Sequence, residues 1–423
     1  MPLSLHAAID RPLVSSGAVS ERYLMFTLQA ATMEAAARLP LNLALVLDTS
    51  GSMTGEKLAR VKEAASFVVR HLSSADRVAI VGYNDHVQVV APSTPLTAEA
   101  RTELLYRLSR IESGGMTNLS GGWLTGCQGV AKHQVGEAQM DRVLLLTDGL
   151  ANVGITSPEE LVEHARQLRL RGIATSTMGV GVDFNEELLE AMARHGGGRF
   201  QYVETAKHIP DCVGGELGEM LQVAARNVAV ELSLPKGVRC VECLNEYVTE
   251  TTGHGGVRVR LGDLLANDAR GVVLKLSVSD HNVDTPLTIS ALALYTDTKT
   301  GRGTEEAFRA VALGLADAES VDNQETDIEV ARQVALLLAA RAKEEAVRLS
   351  RLGEDVAAAG TLAGAGQALS ASAYASDPSV AGEIGALMQL ADDAGRQGLA
   401  ESQRKELRYQ SYLSREARTR YDG

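Results

Sequence analysis

The sequence predicts an α/β fold. Its centre is a doubly wound, mostly parallel sheet of the Rossmann-like kind, inserted in a small β-sandwich and followed by a C-terminal α-helical region. Three observations carry this reading. Between residues 41 and 225, apolar runs alternate with amphipathic stretches at helical spacing. On either side, residues 1–38 and 227–305 hold short segments of alternating polarity separated by turn signals. Beyond residue 305 the texture is helical. The expected divisions are therefore N-terminal sandwich strands over 1–38, an α/β domain over 39–226, the rest of the sandwich over 227–305 and a helical region over 306–423.

The elements follow in order. LSLHAAI and YLMFTLQA alternate weakly and predict two or three strands with a turn near Ser15–Gly17. LNLALVLD (41–48) is a nearly unbroken apolar run, as a strand covered on both faces requires. KLARVKEAASFVVRHL (57–72) is an amphipathic helix, and RVAIVGYN (77–84) is a strand. VQVVAP (87–92) follows too closely for a crossover, which predicts an antiparallel edge strand. RTELLYRLSRI (101–111) and the glycine-rich LSGGWLTGCQGVAKH (119–133) are helices; RVLLLTDG (142–149) is a strand. The helix over 157–172 carries Ser157 as its cap, Pro158 in its first turn and Gly172 as its stop. IATSTMGVG (173–181) and RFQYVE (199–204) are strands, NEELLEAMARHGGG (185–198) is a helix, and 206–225 is the closing helix. Six short alternating strands follow between Asn227 and Thr296. The stretches 326–360, 379–395 and 401–421 are amphipathic helices that bury their stripes against one another.

Composition narrows the function. A chain of 423 residues exceeds one ordinary core. The formal net charge of −13 opposes binding to nucleic acid and to anionic membranes, and an aromatic content of 4% leaves little for base stacking. No apolar stretch is long enough to span a membrane, and MPLSLHAAIDRPLV has no signal-peptide pattern, so a cytoplasmic location is expected. Four cysteines make no disulfide framework. Cys127 and Cys212 read as small buried residues. Cys240 and Cys243 form a CxxC without a second ligand pair, and their strand-like setting places them on opposite faces. The basic segment 401–421 reads as a solvated helix.

Three distant segments end strands or open helices with oxygen-bearing side chains: Asp48-Thr49-Ser50-Gly51-Ser52, the GGMTNLS stretch with Thr117, and LLLTDG with Asp148. In a doubly wound sheet the carboxyl ends of the strands face one crevice. Asp48, Ser50, Ser52, Thr117 and Asp148 are therefore expected to converge. Every donor is a hard oxygen, which favours Mg2+, Mn2+ or Ca2+ over a zinc site. With neutral hydroxyls as the main donors, the cation stays under-neutralised and attracts a carboxylate from outside. GGMTNLSGGW matches neither phosphate-binding glycine motif. Glu56 and Lys57 read as the first turn of a solvated helix, so no base or nucleophile stands in these loops.

The pattern resembles the von Willebrand factor type A domain over roughly residues 40–225. All five positions of that family's metal-ion-dependent adhesion site have counterparts, with DxSxS as Asp48, Ser50 and Ser52, the threonine as Thr117 and the TDG aspartate as Asp148. The resemblance implies that the hydroxyls bind the ion directly, that the aspartates act directly or through water, and that a ligand carboxylate completes the octahedron. The layout is similar to prokaryotic proteins of this type. The expectation is a non-enzymatic scaffold that binds an acidic residue of a protein partner through a divalent cation. Two alternatives stay open from sequence: an accessory subunit of an AAA+ ATPase, and a metal-dependent hydrolase or phosphoryl-transfer enzyme.

Overall fold

The computed structural model describes residues 3–15, 18–31, 38–253, 255–279, 287–298, 304–416 and 418–420. The chain divides into two units, one of residues 33–224 and 297–303, the other of residues 1–32, 225–296 and 304–423. It opens with β1 (Leu3–Ile9), β2 (Leu13–Ser15) and β3 (Ser20–Ala30). β1 and β3 pair antiparallel, from Leu3 opposite Ala30 to Ile9 opposite Leu24. Of the expected turn, Ser16 and Gly17 lie outside the described residues.

The α/β unit then runs β4 (Leu41–Asp48), α1 (Glu56–His71), β5 (Arg77–Tyr83), β6 (Val87–Pro95), α2 (Ala98–Ser109), α3 (Leu119–Ala131), β7 (Met140–Thr147), α4 (Pro158–Leu170), β8 (Ile173–Val180), α5 (Glu186–Gly196), β9 (Gly197–Val203) and α6 (Ile209–Met220). The strand order is β6-β5-β4-β7-β8-β9. Pairing is parallel throughout except for β6, which lies antiparallel to β5 at the edge. β4, β7 and β8 are buried along their whole length because helices cover both faces, and this is why their sequences lack a polar side. The chain leaves β4 outward to β5 and returns to β7 on the other side. β4 and β7 thus flank the point where the winding reverses, and their carboxyl ends open a crevice there.

The glycines of α3 serve packing. A Cβ at Gly126 would stand 2.4 Å from Val46 Cγ2, and one at Gly122 would stand 2.5 Å from the Tyr83 ring. The helix lies so close to β4 and β5 that only hydrogen fits between them. One boundary differs from expectation: the closing helix stops at Met220 and a strand begins at Val223, so residues 223–225 extend a sandwich strand.

The second unit adds β10 (Val223–Ser233), β11 (Val238–Cys243), β12 (Val248–Thr251), β13 (Val257–Leu265), β14 (Asp268–Val278), β15 (Leu287–Asp297) and β16 (Thr304–Ala316). Two sheets result, β1-β3-β14-β11 and β12-β13-β10-β15-β16-β2. β3 pairs with β14 from Gln29 opposite Ala269 to Ser20 opposite Val278, so the N-terminal strands do join the later sandwich. β16 corrects the expected helical boundary at residue 306. Its ten-residue antiparallel register with β15 overrides the helix-forming Ala, Glu and Leu of TEEAFRAVALGLA.

The helical region is α7 (Ala318–Asp322), α8 (Ile328–Arg351), α9 (Asp355–Ser370), α10 (Pro378–Gln397) and α11 (Glu401–Glu416), after which β17 (Arg418–Arg420) pairs with β14. The stretch 326–360, read as one helix, is two helices, because Gly353 at φ +78° turns the chain out of helical geometry. Ala346, Leu362, Leu387 and Leu407 share one core cluster. α11 is not a solvated helix: Lys405, Leu407, Tyr412 and Arg415 are buried, and Arg415 pairs with Glu246 and Glu344.

Two cysteine readings change. β11 bulges at Val241, so Cys240 lies opposite Leu276 and Cys243 opposite Leu274, which places both on one face rather than on opposite faces. Burial pushes the Cys243 thiol up to about 11 and raises that of Cys240, a poor setting for thiolate chemistry. Cys212 is half-buried rather than buried.

Candidate metal centre

β4 delivers Asp48 to the rim of the crevice as its last residue. The carboxylate is fully buried, and each oxygen takes a hydrogen bond. The Ser50 backbone N–H donates to Oδ1 at 2.8 Å, and the Thr147 hydroxyl donates to Oδ2 at 2.6 Å. Thr147 is the last residue of β7, so neighbouring strands lock this carboxylate in place. Burial raises the Asp48 carboxyl above the ordinary range; the bonds from Ser50 and Thr147 oppose the rise, and the nearby Asp148 charge adds to it. A cation at this point would relieve that cost.

After Asp48 the chain turns through a short 3-10 segment, Gly51–Met53, with Met53 buried as its anchor. The turn aims both serines at one point. Ser50 Oγ and Ser52 Oγ are 3.1 Å apart, and Ser52 Oγ donates to Asp148 Oδ1 at 2.7 Å. Asp148, fully buried, follows the end of β7. Its other oxygen, Oδ2, holds the Lys57 ammonium in an ion pair. Lys57 therefore does not stand in solvent, as its place in the first turn of α1 suggested; it leans into the site with its side chain 29% exposed.

Thr117 arrives on the loop before α3. That loop is tied to the first by Gly51 N–H donating to the Gly115 carbonyl at 3.0 Å and Gly114 N–H to the Thr49 carbonyl at 2.8 Å. Gly115 sits at φ +76°, and a Cβ there would overlap the Asp85 carboxylate. The loop after β7 closes the ring: the Asn152 side-chain oxygen accepts from Thr117 N–H at 2.9 Å, and Asn152 N–H donates to the Thr117 carbonyl at 3.2 Å. A Cβ placed on Gly149 would lie 3.6 Å from Thr117 Oγ1 and 3.9 Å from Ser52 Oγ. All five residues expected from sequence thus border one small volume.

The donor set is two buried carboxylates and three hydroxyls. Among the described residues no group of three histidine, cysteine, aspartate or glutamate side chains could hold a metal. Hard oxygens of this mix suit an octahedral Mg2+ or Mn2+ with water or a ligand in the remaining positions. Sequence reasoning missed Lys57 and Thr147. Thr147 was legible as the residue before the TDG aspartate. Lys57 had no local signal, because its partner lies 91 positions away.

The rim is apolar in part. Met116, beside Thr117, is 52% exposed; Leu150, two residues after Asp148, is 54% exposed.

The von Willebrand factor type A domain family matches residues 42–214. Over 193 residues the chain is 29% identical to the Escherichia coli (strain K12) protein YfbK, covering 45% of this chain and 33% of that protein. It is 28% identical over 281 residues to the Synechocystis protein sll0103, covering 63% and 64%. The chain therefore spans about a third of the first relative and under two thirds of the second. A solved von Willebrand factor type A protein from Catenulispora acidiphila superposes with a TM-score of 0.77 at 17% identity, over 96% of both chains. That likeness extends the shared fold to the sandwich and the helices. The α/β unit of this chain is a von Willebrand factor type A domain.

Proposed function

We propose that this chain is a non-enzymatic protein-binding module whose α/β unit grips an acidic side chain of a partner through a divalent cation. The observation that carries the reading is the ring of Asp48, Ser50, Ser52, Thr117 and Asp148, in which hydroxyls outnumber carboxylates and face an open rim. Ser50, Ser52 and Thr117 would hold the ion, with Asp48 and Asp148 supplying the negative charge. Mg2+ is the cation of choice for such a set in a cell, and Mn2+ and Ca2+ fit the same oxygens. The exposed Met116 and Leu150 give a protein partner an apolar footing beside the ion. The binding role is further supported by what surrounds the ring. No histidine or cysteine is hydrogen-bonded to its side chains among the described residues, and the one amine at hand, Lys57, is engaged by Asp148. The four free cysteines fit a reducing compartment such as the cytoplasm. No helix among the described residues is long and apolar enough to cross a membrane.

Calorimetric titration with Mg2+ and Mn2+ tests the site. The wild type should bind one ion, and Asp48→Ala and Ser52→Ala should each lose binding at least tenfold. Variants that bind as the wild type does would disprove the assignment. Recovery of a partner from lysate only when the chelator is left out supports adhesion through the ion; recovery that ignores chelator refutes it.

A further inference from the structure

The ion pair between Lys57 and Asp148 changes the charge arithmetic of the site, an inference that rests on the metal reading above. Asp148 uses its two oxygens differently. Oδ1 accepts from the Ser52 hydroxyl at 2.7 Å, and Oδ2 holds the Lys57 ammonium. Ser52 and Lys57 thus engage different oxygens of the same carboxylate: the oxygen that meets the Ser52 hydroxyl is not the one that holds the ammonium. Its position is built. α1 starts at Glu56, straight after the turn that holds Ser50 and Ser52, so the segment that supplies two hydroxyls also supplies the amine. A Cβ on Gly181, at φ +74° after β8, would stand 4.0 Å from Lys57 Nζ, so the ammonium lies beside the start of the loop that follows β8.

The consequence is electrostatic. Asp48 and Asp148 carry two negative charges, and Lys57 cancels one of them. A divalent ion in the ring then leaves one positive charge unbalanced, which a single carboxylate from outside neutralises. Without Lys57 the ion and two aspartates already sum to zero, and an external carboxylate gains little. We propose that Lys57 is a specificity-determining residue of the site: it weakens the hold on the metal and, in exchange, makes the bound metal selective for a carboxylate ligand.

The test compares the wild type with Lys57→Met, which keeps the length and removes the charge. Lys57→Gln is a second neutral variant and Lys57→Arg the charge-preserving control. Mn2+ affinity is read from free Mn2+ by electron paramagnetic resonance. Carboxylate affinity is read by titrating acetate into the Mn2+-loaded protein and following the relaxation of water protons as bound water is displaced, with acetamide as the uncharged control. The neutral variants should bind Mn2+ about tenfold more tightly and acetate about tenfold more weakly, the size expected of one charge across a partly solvated rim. The arginine variant should stay near the wild type in both. Opposite shifts are the signature, because a merely structural role moves both affinities the same way. If the wild type binds Mn2+ and the neutral variants shift both constants together or neither, the role of Lys57 is refuted while the metal site stands. If the wild type binds no Mn2+, the metal site itself falls and the inference with it.

Discussion

The two ends of β4 carry polar clusters of similar composition and opposite character. At the amino end, Asn42 donates to Asp141 at 2.7 Å and to the Val130 carbonyl at 3.0 Å, while Ser93 donates to its side-chain oxygen at 3.1 Å. Gln139 and Gln134 bring further donors to Asp141 at 2.8 and 3.1 Å. Nearby, Arg38 and Ser73 clasp Asp76, which also accepts from Leu41 N–H at 2.8 Å. Each carboxylate is saturated and closed. At the carboxyl end the oxygens of Asp48 and Asp148 are engaged too, and Ser50 and Ser52 bond to each other, but the Thr117 hydroxyl makes no hydrogen bond to a described residue. At opposite ends of one strand, one cluster spends all its polarity on the fold and the other keeps a hydroxyl available. A polar group near a sheet is thus read by its unspent donors and acceptors, not by its presence.

The largest effect should come from the closed end. Asp141→Ala removes the acceptor shared by the Asn42, Gln139 and Gln134 amides, leaving each with a single backbone carbonyl, and should cost about 3 kcal/mol of stability, read by denaturant unfolding. Metal affinity should not move. A variant within 1 kcal/mol of the wild type would break the distinction between the two ends.

Asp76→Asn should cost about 2 kcal/mol at neutral pH. Burial pushes the Asp76 carboxyl up, but the bonds from Arg38, Leu41 and Ser73 together outweigh it and leave it below its ordinary value. Its contribution is therefore present above the ordinary carboxylate range, near 3.8, and is lost as pH falls through the lower folded value. The stability gap between wild type and variant should stay constant down to about pH 4 and close below it. A gap that closes nearer neutral pH would show that Asp76 is not held low.

The smallest effect on folding belongs to the open end. Thr117→Val removes one unspent hydroxyl and keeps the shape, so stability should change by less than about 1 kcal/mol. Divalent-cation affinity should fall about tenfold or more by calorimetry, since one of three hydroxyl donors is gone. A stability loss equal to that of Asp141→Ala would erase the comparison.

Much of this was legible in the sequence, and the exceptions share a cause. The strands of the α/β unit announce themselves because burial on both faces removes polar residues, as in LNLALVLD. The convergence of the five candidate residues was legible because each sits near an element boundary that local pattern also marks. β16 was not, because Ala307, Val311 and Leu315 recur at helical spacing and only pairing with β15 decides the matter. The bulge at Val241 was hidden for the same reason: nothing in VRCVEC states which residue β14 will leave unpaired. Lys57 looked like any lysine opening a helix until Asp148 was placed beside it. Local pattern marks an element where burial on both faces dominates it; long-range partners decide β16 and what polar residues such as Lys57 are for.

The insertion of the α/β unit between β3 and β14 also sets an order of events during synthesis. β3 pairs with β14, yet roughly 240 residues separate the end of one from the start of the other. At ribosomal rates of about 5–20 residues per second, β3 waits on the order of tens of seconds for its neighbour. Through that interval the β1–β3 pair exposes Leu24, Phe26 and Leu28, which are buried once the chain is whole, along with an unsatisfied strand edge. The α/β elements β4 to α6, drawn from one continuous stretch of chain, can fold meanwhile. The nascent protein thus has a finished α/β unit before its sandwich exists, and its window of greatest vulnerability to misassembly lies in its first thirty residues.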